Sequence, residues 1–402
     1  MVAYQQFVEL SQSGDSEARG QAAHLAALAY LAHTGPADEQ AALYAALVGF
    51  LDDPSVKVRA ALAYGLLHAS AAPRPILLSL LHDSPVIARA VAQYSPALID
   101  ADLLSLVRSA EPSLLMAVAM RERISPRLAE ALIGRGDRNV VLKLLGRTDV
   151  ALSADALSRI AEDFGRGDAA LRGALLARDD LPAPARLLLV EAVVSALSDF
   201  RLVKGAIQPE RLKKLLRNAS DTALTAIGEG TDGPPRAQYA ARLIEDERIS
   251  SRVMLHAIIN GHVMFFADCL AELSEMSRAK VFTLLETGSR PALNALLARC
   301  GMSEGMRNLV ARLVFLARTS DLAEDVAARH FVVTVLTEEL IVEHQGDIPA
   351  ELEEAFIYLS EQNVALARSA ARGVMSAFAG EDVARPMPLL ADEGPRLALP
   401  AA

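Results

Sequence analysis

The chain has 402 residues, more than one globular core usually holds, so it divides into domains or extends as an array of units packed on their neighbours. Hydrophobic residues make up 52% but aromatic ones only 4%, with no Trp; Ala, Leu and Val therefore supply the apolar surface, which points to helix packed closely on helix. A formal charge of −10 disfavours a protein built mainly to hold phosphate backbones.

From Met1 to Leu10 there is no Lys or Arg and no long apolar run follows, so no secretory leader is expected. Leu43, Leu47, Phe50 and Leu51 then follow the spacing of one helical face. Asp53-Pro54 supplies a cap and a first-turn proline for the next helix, which carries Val58, Leu62 and Leu66 and ends before Pro73. Asp83, Ser84 and Pro85 repeat the device. The segment Leu51-Asp-Asp-Pro-Ser-Val-Lys-Val-Arg59 matches Leu81-His-Asp-Ser-Pro-Val-Ile-Ala-Arg89 in Leu, Asp, Val and Arg at an offset of about 30 residues. A second pair has the same period: Gly134-Arg-Gly-Asp137 returns as Gly165-Arg-Gly-Asp168, each an inter-helix turn with Asp as the next cap.

Ser95-Pro96, Ser125-Pro126, Pro182 with Pro184, and Pro209 open further helical stretches. The apolar run from Leu187 to Leu197 is too short to cross a bilayer, and no membrane association is expected. Gly228-Glu-Gly-Thr-Asp-Gly-Pro-Pro235 is the strongest loop signal in the chain. The expected organisation is a helical repeat region at 1–228, a linker at 229–235, a C-terminal helical region at 236–378 and a mobile tail at 379–402. No window alternates with period two, so the fold class is all-α without a sheet, a solenoid of helical hairpins repeating every 30 residues or so.

Such short hairpin repeats resemble the HEAT-like repeats. That resemblance implies a polar ladder between units for Asp53 and Asp83 with Arg59 and Arg89. Six residues apart, Asp53 and Arg59 do not face each other on one helix, so pairing has to cross between units. A second resemblance rests on Leu114-Leu-Met-Ala-Val-Ala-Met-Arg-Glu-Arg-Ile-Ser-Pro126, on Ile249-Ser-Ser-Arg-Val-Met-Leu-His-Ala-Ile-Ile-Asn-Gly261, and on Phe265 to Leu273. These blocks look like the bacterial family called domain of unknown function 2336, over roughly residues 40 to 310. The likeness implies a helical repeat fold and carries no activity with it.

Candidate chemistry is sparse. The glycines of Gly228 to Gly233 fit a dinucleotide-loop pattern by letter, but a helix precedes them and Pro234-Pro235 removes the amides a pyrophosphate would need. The eight histidines do not cluster, and Cys269 and Cys300 lie among apolar neighbours as reduced core thiols. No catalytic, cofactor-binding or metal-binding residues are assigned, and no cofactor is expected. Arg211, Lys213, Lys214 and Arg217 form the densest basic helix and are the candidate phosphate contacts, although a solvated face explains them as well.

From Glu338 to Glu361 the chain carries acids and no Lys or Arg, and Glu338, Glu339, Glu343, Glu351, Glu353 and Glu354 are the candidate partner-binding residues. Either an external basic segment docks there, or the Arg211 to Arg217 helix folds across it. The functional expectation is a non-catalytic, cytoplasmic interaction scaffold or regulatory binding protein whose partner is another protein. The alternative is a HEAT-like nucleic-acid-binding protein or a DNA glycosylase-like enzyme, for which the net charge and the single basic helix are poorly suited.

Overall fold

Several helices of this chain start where an oxygen-bearing side chain takes amide hydrogens left free in the first turn. In the computed structural model, which describes residues 8–382, Asp15, Ser125, Asp137, Ser153 and Asp168 each cap a helix this way. Among the described residues there is no strand. Contacts divide the chain into two compact units, Met1–Leu197 and Ser198–Ala402.

The first unit contains α1 (Ser16–Ala32), α2 (Ala37–Leu51), α3 (Val56–Leu66), α4 (Arg74–Leu80), α5 (Pro85–Tyr94) and α6 (Asp100–Ser109). These are followed by α7 (Pro112–Ala119), α8 (Pro126–Gly134), α9 (Arg138–Leu145), α10 (Ala154–Phe164), α11 (Ala169–Leu176) and α12 (Ala183–Asp199). Alternate helices meet along one row, α1 with α3, α3 with α5, α5 with α7, α7 with α9 and α9 with α11. A second row pairs α2 with α4, α6 with α8 and α8 with α10, but the row is not uniform, since α4 and α6 have no contact of comparable size. Between the rows lies one continuous apolar core running from Ala22 to Leu189. Small residues let its first helices close up: Gly65 of α3 lies against Ala27 and His24 of α1.

Two sets of arginines tie each helical pair to its neighbour. In the first, a guanidinium grips the carboxylate of a turn in the following pair: Arg19 with Asp53 at 2.7 Å, Arg59 with Asp83 at 2.6 Å, Arg74 with Asp102 at 2.5 Å, and Arg138 with Asp168. These are fork-on-fork contacts, and they hold the four aspartates below the usual carboxylate range, Asp168 at about 2. In the second set the arginine reaches back to carbonyls at a helix C-terminus one pair earlier. Arg121 donates to Ala92 and Ser95, Arg135 to Arg108 and Ala110, Arg147 to Ala119, and Arg178 to Leu145 and Arg147. Such carbonyls have no partner within their own helix, so each arginine satisfies acceptors that burial would otherwise orphan.

The expected ladder therefore crosses between units at Arg59 and Asp83, with two corrections. Asp53 is not the cap: its carboxylate is committed to Arg19 and to the Ser55 amide, so α3 starts two residues later with Ser55 as its N-cap. Arg89 takes no part; the turn after α6 offers no aspartate, and its Nε donates to the carbonyl of Pro85 instead.

The second unit contains α13 (Arg201–Ala206), α14 (Pro209–Glu229), α15 (Pro234–Glu245), α16 (Ser251–Ile259), α17 (Val263–Ser274) and α18 (Arg278–Thr287). It continues with α19 (Arg290–Arg299), α20 (Glu304–Ala317), α21 (Val326–Glu343) and α22 (Ala350–Asp382). Here helix α17 is central, packing on α14, α15, α16, α18 and α19, while α21 and α22 pair along their lengths. Phe265, Phe266, Cys269 and Leu270 of α17 are all buried in these contacts.

The loop at 229–235 is not where the contacts divide. Gly228 is buried within the last turn of α14, and the ring of Phe265 fills the space a Cβ would need. Glu229 accepts the amide hydrogens of Met264 (3.4 Å) and Phe265 (2.8 Å), so the loop signal marks a helix end pinned onto the start of α17. Gly228→Ala should cost about 1–3 kcal/mol through overpacking against Phe265; hydrogen exchange of α14 and α17 amides checks it, and unchanged protection would show that the ring simply turns aside. The expected tail at 379–402 begins inside α22, and its residues 383–402 lie outside the described residues.

Candidate functional site

The acidic stretch splits between two places in the second unit. Glu338, Glu339 and Glu343 stand on the last turns of α21 and line a groove of about 750 Å³ with Arg290 of α19 and Arg312 of α20. Its apolar lining comes from Phe315 and Leu316 of α20 and from Val335 and Val342 of α21, with Val342 77% exposed. Arg312 sits between two of the acids, 3.5 Å from Glu339 and 2.7 Å from Glu343. That bridge relieves the repulsion of two carboxylates one helical turn apart. Arg290 lies over the ring of Phe315 at 5.9 Å. Glu338 is exposed and has no ion-pair partner among the described residues.

The remaining candidates face the basic helix. A cleft of about 400 Å³ is lined by Lys213, Lys214 and Arg217 of α14 and by Glu353, Glu354 and Glu361 of α22. Arg217 pairs with Glu354, and Lys214 with Glu361 at 3.2 Å. The expected internal neutralisation by Arg211 to Arg217 thus applies to α22 and not to the acids of α21. Arg211 does not line the cleft, and Glu351 lies over Gly305 of α20. Two of the four candidate phosphate contacts are spent on carboxylates, which argues against a ready phosphate site.

At the base of this cleft is a buried polar centre that no local pattern announces. Arg252, 2% exposed, donates from Nε to Asp221 at 2.7 Å, from Nη2 to Asn218, and from Nη1 to Glu361 at 3.4 Å. Its guanidinium lies 4.8 Å from the centre of the Tyr358 ring. The Tyr358 hydroxyl meets His256 Nδ1 at 2.9 Å, and Thr222 Oγ1 meets His256 Nε2 at 3.2 Å. Thr222 gives its one proton to the carbonyl of Asn218 at 2.8 Å, so Nε2 must carry the hydrogen and Nδ1 must accept from Tyr358. Burial foremost, with His262 and nearby arginines adding to it, pushes His256 down to about 4. Burial also raises the Tyr358 hydroxyl well above its usual range, so it stays a donor. A neutral histidine, 3% exposed and held between two hydroxyls, braces the helices that carry them.

Burial raises Cys269 far above the ordinary thiol range and pushes Cys300 up to about 11. Among the described residues no group of three or more His, Cys, Asp or Glu is placed to hold a metal, and no helix is long and apolar enough to cross a membrane.

Residues 87–340 match the family model described as an uncharacterised protein conserved in bacteria, domain of unknown function 2336. The match starts later and ends later than the likeness expected at 40 to 310. It takes in most of α21, with Glu338 and Glu339 of the groove, and ends before Val342 and Glu343. No curated protein matches the chain.

Proposed function

We propose that this chain, which belongs to the bacterial family designated domain of unknown function 2336, is a non-catalytic interaction or regulatory protein that docks a basic amphipathic segment of another protein, in the cytoplasm. The first unit is in this reading a short-repeat, HEAT-like solenoid; the two helical rows and the arginine ladders that recur about every 30 residues support it. The observation that carries the docking is the groove of α19, α20 and α21. It joins half-buried Phe315, Leu316 and Val335 and the exposed Val342 to an acidic rim in which Glu338 is left without an internal cation among the described residues. An amphipathic helix fills such a groove with its apolar face while lysines or arginines beside that face meet the rim.

Glu338→Lys and Val342→Asp test this without disturbing the internal Arg312 pairs. The probe is a fluorescent synthetic helix with Leu on one face and Lys beside it, with the same helix carrying Glu for Lys as control. The expected result is saturable binding of the basic helix alone, weakened at least tenfold by either substitution with unchanged melting. Equal binding of the acidic control, or indifference to both substitutions, overturns the reading. Submicromolar, salt-sensitive binding of duplex DNA would favour the nucleic-acid alternative and bring Arg211, Lys213, Lys214 and Arg217 to the centre.

A further inference from the structure

We propose that the second unit holds a binding site for a small apolar amine, in a cavity where α16, α17, α18 and α20 meet. The cavity measures about 400 Å³ and its walls are hydrocarbon: Ile258, Phe266, Leu285 and Val314 line it and are all buried. It opens beside Val263, which is 41% exposed, and beside the exposed Glu286. Pockets of this size between helices are the usual setting for small ligands. An apolar cavity of about 150 Å³ takes benzene, so this one has room for roughly fifteen non-hydrogen atoms.

The two charged groups in the lining set the ligand's polarity. Arg318 is committed to backbone: Nε donates to the carbonyl of Leu285 at 2.7 Å, and Nη2 to those of Leu284 at 3.0 Å and Gly288 at 2.9 Å. Its guanidinium also lies 4.5 Å from the ring centre of Phe315 in the last turn of the helix it caps. Releasing it for an incoming anion would orphan the end of α18. Glu286 has no ion-pair partner among the described residues, and it stands at the opening. The hydrocarbon walls select an apolar body, and the free carboxylate selects a cationic end over a neutral or anionic one. This site is separate from the groove of α21 and does not depend on it.

Calorimetric titration of the full chain with 4-phenylbutylamine, 4-phenylbutanol and 4-phenylbutyrate decides the matter. The amine should bind at least tenfold more tightly than the acid, with the alcohol between them. Glu286→Gln should bring the amine down to the alcohol and leave the alcohol unchanged. Ala317→Phe should fill the cavity and abolish binding of all three; should that variant fail to fold, Val263→Trp closes the opening from an exposed position. Absence of saturable binding by any of the three overturns the proposal. So does an acid that binds as tightly as the amine, or binding that survives whichever blocking variant folds.

Discussion

Asp268→Ala is expected to lower the stability of the second unit by about 3–5 kcal/mol, the range for removing one partner of a buried ion pair. Asp268 lies on α17 and is 3% exposed. One carboxylate oxygen takes Arg236 Nε from α15 at 2.7 Å, and the other takes Arg278 Nε from α18 at 2.9 Å. The two arginines differ in what they lose. Arg278 has a side chain 34% exposed and can turn to water, whereas Arg236 is 5% exposed and would be left as an uncompensated cation inside the unit. Its other contact, to the carbonyl of Glu229 at 3.5 Å, is too long to replace the pair.

The double change Asp268→Leu with Arg236→Leu should recover most of that loss, because apolar groups of similar volume tolerate the site where a lone charge does not. Hydrogen exchange of the core amides of α17 in the full chain measures the local free energy even though the chain has two units and need not unfold in one step. Protection should fall by about two to nearly four orders of magnitude in the single variant, at about tenfold per 1.4 kcal/mol. A single variant that loses less than the double one would mean that Arg236 finds water, and the pair would then be a surface feature in energetic terms.

What could be read from the sequence was what is local. Prolines, capping aspartates and four-residue apolar steps act within one turn, and they placed α5, α8, α9 and α11 close to their observed starts. The likeness to HEAT-like repeats pointed to the arginine–aspartate ladder, and its crossing between units followed because Asp53 and Arg59 cannot meet on one helix. Its errors at Asp53 and Arg89 came from the absence of any signal for which carboxylate an arginine of the neighbouring pair would choose. Division of the chain was not legible. The glycines at 228–233 look like a linker, yet Gly228 is small because Phe265 needs its space. The actual division, between Leu197 and Ser198, falls inside α12, a helix with no breaker there.

The acidic candidates show the same limit. Net charge along Glu338 to Glu361 could be counted, but its partners come from far away in sequence: Arg312 for α21, Lys214 and Arg217 for α22. The polar centre is the extreme case: Asn218 with Asp221, Arg252 with His256 and Tyr358 with Glu361 each stand one helical turn apart, but nothing along the chain ties the three helices to one another. Only their burial, visible once the helices pack, sets them apart from solvated surface.

That centre carries the second large effect, a loss of stability on mild acidification. His256 has a folded-state value of about 4 against an ordinary 6.5. Above pH 6.5 the ring is neutral in both states and contributes no pH dependence. Between pH 6.5 and about 4 the unfolded chain takes up a proton that the folded one refuses, so stability falls as pH falls. The full difference corresponds to about 3 kcal/mol, and the slope ends once the folded ring also protonates. Burial is the main cause, with His262, Arg252 and Arg329 adding to it, and the hydrogen-bond geometry points the same way. A proton added at Nδ1 would face the oxygen of Tyr358, which is fully buried and already turns its own hydrogen toward that nitrogen. His262, also pushed down by burial, adds a smaller component in the same direction. The aspartates of the first-unit ladder act in a different window. Held below the usual carboxylate value of 3.8, they lose their contribution only as pH falls below it. His256→Gln keeps an acceptor for Tyr358 and a donor for Thr222 but cannot titrate. Urea unfolding followed by circular dichroism at pH 7, 6, 5 and 4.5 should show the second unit weakening steadily in the wild type. In the variant most of that slope should be gone. A wild-type midpoint that stays flat over this range would mean that the ring protonates in place, and that the hydroxyls around it rearrange at little cost.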